Sequence, residues 1–146
     1  IEAQNYRLVY GEPIDVESLT KRICDIKQTY TQHAGVRPFG VSFLIAGIDE
    51  LGPHLYMTDP SGSFSEYKAV AIGMGKNEAD EILKKEYFNI QTIEEAIILG
   101  LKILKKISEE KISPDTCEVG IVDTKRKVHF LSAKEIENYL SKIPEE

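Results

Sequence analysis

Cysteine is scarce in this sequence: Cys24 and Cys117 are the only two in 146 residues, far apart and without a Cys-x-x-Cys or histidine partner spacing. Neither a zinc site nor a disulfide framework is supported, and each thiol reads as a small buried hydrophobe in a reducing compartment. A surplus of basic charge is also lacking. Eighteen Lys and Arg stand against 24 Asp and Glu, a formal net charge of -6. Neutralising phosphates needs a clustered cationic excess, so the balance argues against a nucleic-acid partner. The runs Lys84-Lys85 and Lys105-Lys106 sit among glutamates and read as solvated helix faces. Long apolar runs are missing too. The stretches 41–46 and 96–101 fall far short of a membrane span and no signal peptide opens the chain, so the expected location is cytoplasmic.

What remains is 42% hydrophobic and 29% charged, the make-up of a single globular domain over residues 1–146. The chain opens without Met, and "IEAQNYRLVYG" reads as the tail of a helix already under way, so residues upstream of Ile1 are expected. Asp15 is placed to cap a helix over Val16 to Gln32, with Val16, Leu19, Ile23, Ile26 and Tyr30 on one face. Gly35 and Arg37-Pro38 break it. Val41 to Ile48 is apolar at nearly every residue, which predicts a strand covered on both faces. Strands Leu55 to Thr58 and Phe64 to Ile72 follow, joined by Asp59-Pro60-Ser61-Gly62, a tight turn in which Pro60 presets φ and Gly62 accepts a positive one.

A helix over Asn77 to Tyr87 comes next. Thr92 with Glu95 forms a capping box for another that reaches Glu110 through Ile93, Ala96, Ile97, Leu101, Leu104 and Ile107. Gly100, costly inside that helix, suggests close packing against a neighbour. Cys117 to Val122 and Val128 to Leu131 make a hairpin, and Ser132 with Glu135 caps a last helix to Ile143. Strands in meanders with grouped helices imply an α+β layered fold.

Catalytic constellations are absent. Ser42 falls in a strand without the Gly-x-Ser-x-Gly elbow, His33, His54 and His129 match no metalloprotease spacing, and no acid/base pair of carboxylates stands out. Gly73-Met74-Gly75 precedes a helix but lacks the Lys-Ser/Thr and the third glycine of the phosphate-binding motifs.

Several long motifs do point somewhere. Tyr30-Thr31-Gln32 followed by Arg37-Pro38-Phe39-Gly40-Val41-Ser42, the turn Asp59 to Gly62, the segment Lys68 to Gly73, "LKKEY" and "CEVGIVDTKRKVHFLSAKEIENYL" occur in an order that closely resembles the α-type subunits of the 20S proteasome. The resemblance covers essentially the whole chain but not the family's N-terminal portion, with its ring-assembly helix and Tyr-Asp-Arg tail. It implies a four-layer αββα sandwich of the N-terminal-nucleophile hydrolase type, represented here by its C-terminal portion. It also implies a non-catalytic subunit that gates entry and docks activators. Its partners would be other α subunits in a seven-membered ring, β subunits and regulatory complexes, with no cofactor, metal, nucleic acid or membrane. The location would be cytoplasmic, and also nuclear in a eukaryote. Ile1 is no nucleophile, in keeping with an α-type chain. On the same resemblance, Gly35, Pro38 and Gly40 shape a pore-side loop that Phe39 anchors, and Tyr30 and Arg37 lie toward the pore-facing end. Arg37 offers a planar donor fork to a carboxylate or carbonyl. The alternative is a β-type subunit or free hydrolase of this fold whose nucleophile lies upstream, and a stand-alone anion-binding module using the Gly73 to Gly75 loop is a third reading.

Overall fold

The computed structural model describes residues 1–32, 40–125 and 127–144. The chain forms two compact units, residues 1–68 with 122–126, and residues 69–121 with 127–146.

In the first unit, helix α1 (Glu2–Tyr10) ends where Gly11 turns left-handed and its N–H bonds the Arg7 carbonyl at 2.9 Å. Helix α2 (Val16–Gln32) spans the residues its periodicity predicts, and Asp15 Oδ1 accepts the Ser18 N–H at 2.8 Å as its cap. The buried face is only partly the predicted one, with Val16 buried and Leu19 and Ile23 half-buried. Val16, Thr20, Cys24 and Lys27 point inward, while Ile26 and Tyr30 are exposed. The helix is rotated by about one residue from the apolar stripe because polar inner residues find partners: Thr20 Oγ1 donates to the Val16 carbonyl at 2.8 Å, and Lys27 is bonded at three points.

Strands β1 (Phe43–Asp49), β2 (Gly52–Thr58) and β3 (Phe64–Glu66) form an antiparallel meander in the register Phe43 to Thr58, Ile45 to Tyr56 and Tyr56 to Glu66. Helix α2 packs against the meander. Full cover of β1 is not found: Val41 before it and Phe43 and Leu44 within it are 40 to 45% exposed. β3 is also shorter than the predicted Phe64 to Ile72. The Tyr67 N–H still reaches the Leu55 carbonyl, but farther on the backbone bonds elsewhere: Ala71 N–H donates to Asp80 Oδ1 at 3.0 Å and Lys76 Nζ donates to the Ala71 carbonyl at 2.9 Å. Those groups are then lost to a strand ladder.

In the second unit, α3 (Lys76–Glu86) runs into a short 3-10 turn (Tyr87–Asn89), and α4 (Ile93–Ile107) follows. Thr92 and Glu95 make the expected capping box, as do Ser132 and Glu135 at α5 (Ala133–Leu140). α4 and α5 stop three residues short of their predicted ends. Between them β4 (Gly120–Val122) and β5 (Val128–Phe130) form the two-stranded hairpin. Helix α4 buries two faces rather than one. Ile97 and Leu101 join Cys117 and Ile143, whereas Leu99 and Ile103 pack with Ala79. Ile93 and Leu104, assigned to the core by periodicity, are exposed. Gly100 serves no close packing, since a Cβ there would meet nothing within 4 Å.

Candidate functional site

The two quoted motif segments of the first unit converge on one buried lysine. Lys27, 1% exposed on the inner face of α2, donates to the Val41 carbonyl at 2.7 Å, Thr58 Oγ1 at 2.7 Å and the Asp59 carbonyl at 3.1 Å. Thr58 Oγ1 also accepts the Phe43 N–H at 3.1 Å, and the ammonium lies 4.7 Å from the centre of the Phe43 ring. Burial lowers the Lys27 pKa, opposed by the negative potential of Cys24 and Asp59. The cation thus ties the chain entering β1 and the chain leaving β2 to the same helix.

The turn itself is self-contained. The Gly62 N–H closes it on the Asp59 carbonyl at 3.1 Å, and Asp59 Oδ1 accepts Ser61 N–H at 2.8 Å, Ser61 Oγ–H at 2.5 Å and Ser63 N–H at 3.2 Å. These donors, the Ser61 hydroxyl first, hold the Asp59 carboxyl below the usual range. A carboxylate so stabilised is a poor base for activating Ser61. Gly62 has φ 88, and a Cβ there would lie 2.7 Å from Gln28 Cγ and 3.0 Å from the Cys24 carbonyl oxygen. Only glycine lets the turn close against α2. Pro60 occupies the second position of the turn and is exposed.

Of the residues singled out from sequence, Asp59, Pro60, Ser61 and Gly62 form a closed turn. Tyr30 is on the last turn of α2 and 46% exposed, and Gly40 is exposed. Arg37, Pro38 and Phe39, with His33 and Gly35, lie outside the described residues. Ser42 precedes β1 rather than lying in it. Lys27 was not singled out. Its only sequence signal is a charge one helical turn after Cys24 and Ile23, on a stretch otherwise read by its apolar residues.

A second polar cluster closes the other end of the sheet. His54 Nδ1 lies 2.6 Å from Glu66 Oε1 and Nε2 3.2 Å from Asp49 Oδ1, so the ring bridges β1 and β3 from β2. Asp49 Oδ2 accepts the Val16 N–H at 3.1 Å, which fastens the start of α2 to β1. The Glu66 hydrogen bond, with help from Asp49, raises the His54 pKa. His129 pairs with Glu135 at 3.7 Å. Both histidines are engaged by carboxylates, and among the described residues no His, Cys, Asp or Glu cluster could hold a metal ion. Nor is any described helix long and apolar enough to cross a membrane.

The Gly73-Met74-Gly75 loop is not arranged as an anion cradle. Gly75 has φ 74 and a Cβ there would press on Ile107 at 3.2 Å, while Lys76 is held by Asp80 Oδ2 at 2.6 Å. The glycines serve the turn and its packing on α4, and the nearest cation is already paired with an anion.

Comparison with known proteins adds an independent line. A family model described as "Proteasome subunit" matches residues 1–122. A protein of Methanopyrus kandleri named "Proteasome subunit alpha" is 49% identical over 143 residues, covering 98% of this chain and 58% of its own length. Proteins of the same name from Archaeoglobus fulgidus and Saccharolobus islandicus are 49% and 47% identical, over 99% and 97% of this chain and 59% and 60% of theirs. The chain therefore spans about three-fifths of the length of the curated relatives it matches.

Proposed function

The chain belongs to the proteasome subunit family, and we propose that it serves as a non-catalytic structural subunit of the 20S proteasome α ring. In that role it gates substrate entry and docks activators for protein degradation. The observation that carries this reading is the match of nearly the whole chain to relatives that bear the α name. Nothing favours the β-type or free-hydrolase alternative.

The site geometry supports a framework role. The Lys27 ammonium and the Asp59 carboxylate bond backbone groups and neighbouring hydroxyls, and the His54 ring bonds the structural carboxylates Asp49 and Glu66. A nucleophile needs a base aimed at it and donors aimed at a developing oxyanion. Ser61 donates its hydroxyl to Asp59 Oδ1 at 2.5 Å, but that carboxylate is held below its usual range by the same bond and two backbone donors, which makes it a poor base. We place the chain in a four-layer αββα sandwich, with Val41, Phe43 and Leu44 as the surface a second sheet would cover. Neighbouring α subunits, β subunits and activators are the partners of this reading, and the cytoplasm, with the nucleus in a eukaryote, is its location.

The test is peptidase activity of the full-length protein, alone and co-expressed with a β-type subunit. Hydrolysis of a fluorogenic peptide is expected only with the β subunit. Activity of the protein alone that survives repurification and is blocked by an active-site-directed inhibitor contradicts the reading.

A further inference from the structure

We propose that the cleft between α4 and the end of α5 docks a partner protein's acidic peptide segment carrying an apolar side chain. The cleft has a volume of about 460 Å³ and is walled by Lys102, Lys105, Lys106 and Lys142, with Ile98 and Ile143 as its apolar lining. Among the described residues none of those that line it is acidic. In a chain with six more acids than bases, four lysines around one cleft run against the overall balance. The helix explains the convergence: positions 102, 105 and 106 fall on one face of α4, three and four residues apart.

These lysines are only lightly engaged. Lys102 reaches Glu86 at 3.4 Å, Lys105 donates to the Pro144 carbonyl at 3.5 Å, and Lys142 lies 5.0 Å from the Tyr139 ring centre. Among the described residues Lys105, Lys106 and Lys142 have no carboxylate within 4.0 Å. The floor is rigid, because Ile143 is buried in the same cluster as Ile97, Leu101 and Cys117. Flexible ammonium groups above a fixed apolar floor suit separate carboxylates flanking one apolar side chain, and do not require the planar fork that arginine supplies. The adjoining groove, which shares Lys105, Ile143 and Pro144, is of mixed charge, with Glu109, Glu110 and Glu137 beside Lys105 and Lys111, so the lysine-walled cleft is the better ground for an acidic segment.

The probe is a fluorescein-labelled acetyl-Glu-Glu-Leu-Phe-Glu-Glu-amide, titrated with the full-length protein and followed by anisotropy. Saturable binding is expected, weakened about tenfold or more by Lys106→Glu with Lys142→Glu, since reversing two facing charges replaces attraction by repulsion. Melting temperature checks that the variant is folded. Should it not fold, the unchanged protein decides between the occupants: the peptide with Gln for Glu, and the peptide with Ser for Leu and Phe, are each expected to bind about tenfold more weakly. Equal binding of the apolar-free peptide would reduce the cleft to a nonspecific anion patch and overturn the proposal. So would undiminished binding to the folded double variant.

Discussion

Lys27 Nζ donates to Thr58 Oγ1 across 2.7 Å, and both side chains are almost wholly excluded from solvent. The pair joins the middle of α2 to the last residue of β2. The lysine's other bonds, to the Val41 and Asp59 carbonyls, make it the meeting point of both recognisable motif segments. A buried charge is costly in isolation; three oxygen partners and an aromatic face offset that cost.

Replacing Lys27 by Met removes the donors but leaves their acceptors in place. A loss of roughly 1–3 kcal/mol is expected, the range for buried acceptors stripped of a charged partner. In a double-mutant cycle with Thr58→Val, measured by urea denaturation, a coupling of about 1 kcal/mol is expected because the two groups touch. Strict additivity would show that the bond contributes nothing.

Two glycines should respond to alanine with opposite signs. Gly62→Ala forces a side chain into a left-handed position against Gln28 and the Cys24 carbonyl, and should cost about 1–3 kcal/mol. Gly100→Ala adds a methyl group on an exposed helical site with open space, and should gain roughly 0.5–1 kcal/mol. Paired melting curves check both, and a destabilised Gly100→Ala would mean that the site is packed after all.

The contrast between these glycines shows what was legible in the sequence. The capping boxes at Thr92 and Ser132 and the Asp59 turn are local patterns, fixed by residues three or four apart, and they appear where their spacing puts them. The order of strands and helices follows from the same short-range signals. The α2 face was not legible, because Lys27 is buried by partners far away in sequence. The end of β3 depends likewise on Asp80 and Lys76, which take the backbone bonds of Ala71. The second buried face of α4, through Leu99 and Ile103, was hidden because one stripe already satisfied a helical period. At the candidate site, the turn was legible and its anchoring lysine was not.

His54 gives stability a pH dependence of known sign. Its folded pKa is raised above 6.5 by Glu66 and Asp49. The stabilisation is therefore fully present below about 6.5, the unfolded value, and is lost as pH rises through the folded pKa. Urea titrations from acid to mildly alkaline pH should show this decline in the parent, and a flatter profile in His54→Gln. A parent and variant with parallel profiles would leave the bridge without energetic weight.

The proposed role as a ring-forming α-type subunit is open to direct observation. The most direct measurement is electron microscopy of the full-length protein, with two-dimensional class averages and mass photometry on the same preparation. Closed rings of seven copies are expected, since one repeated heterologous contact that closes generates a cyclic assembly. A monodisperse monomer that hydrolyses peptides by itself would contradict the account.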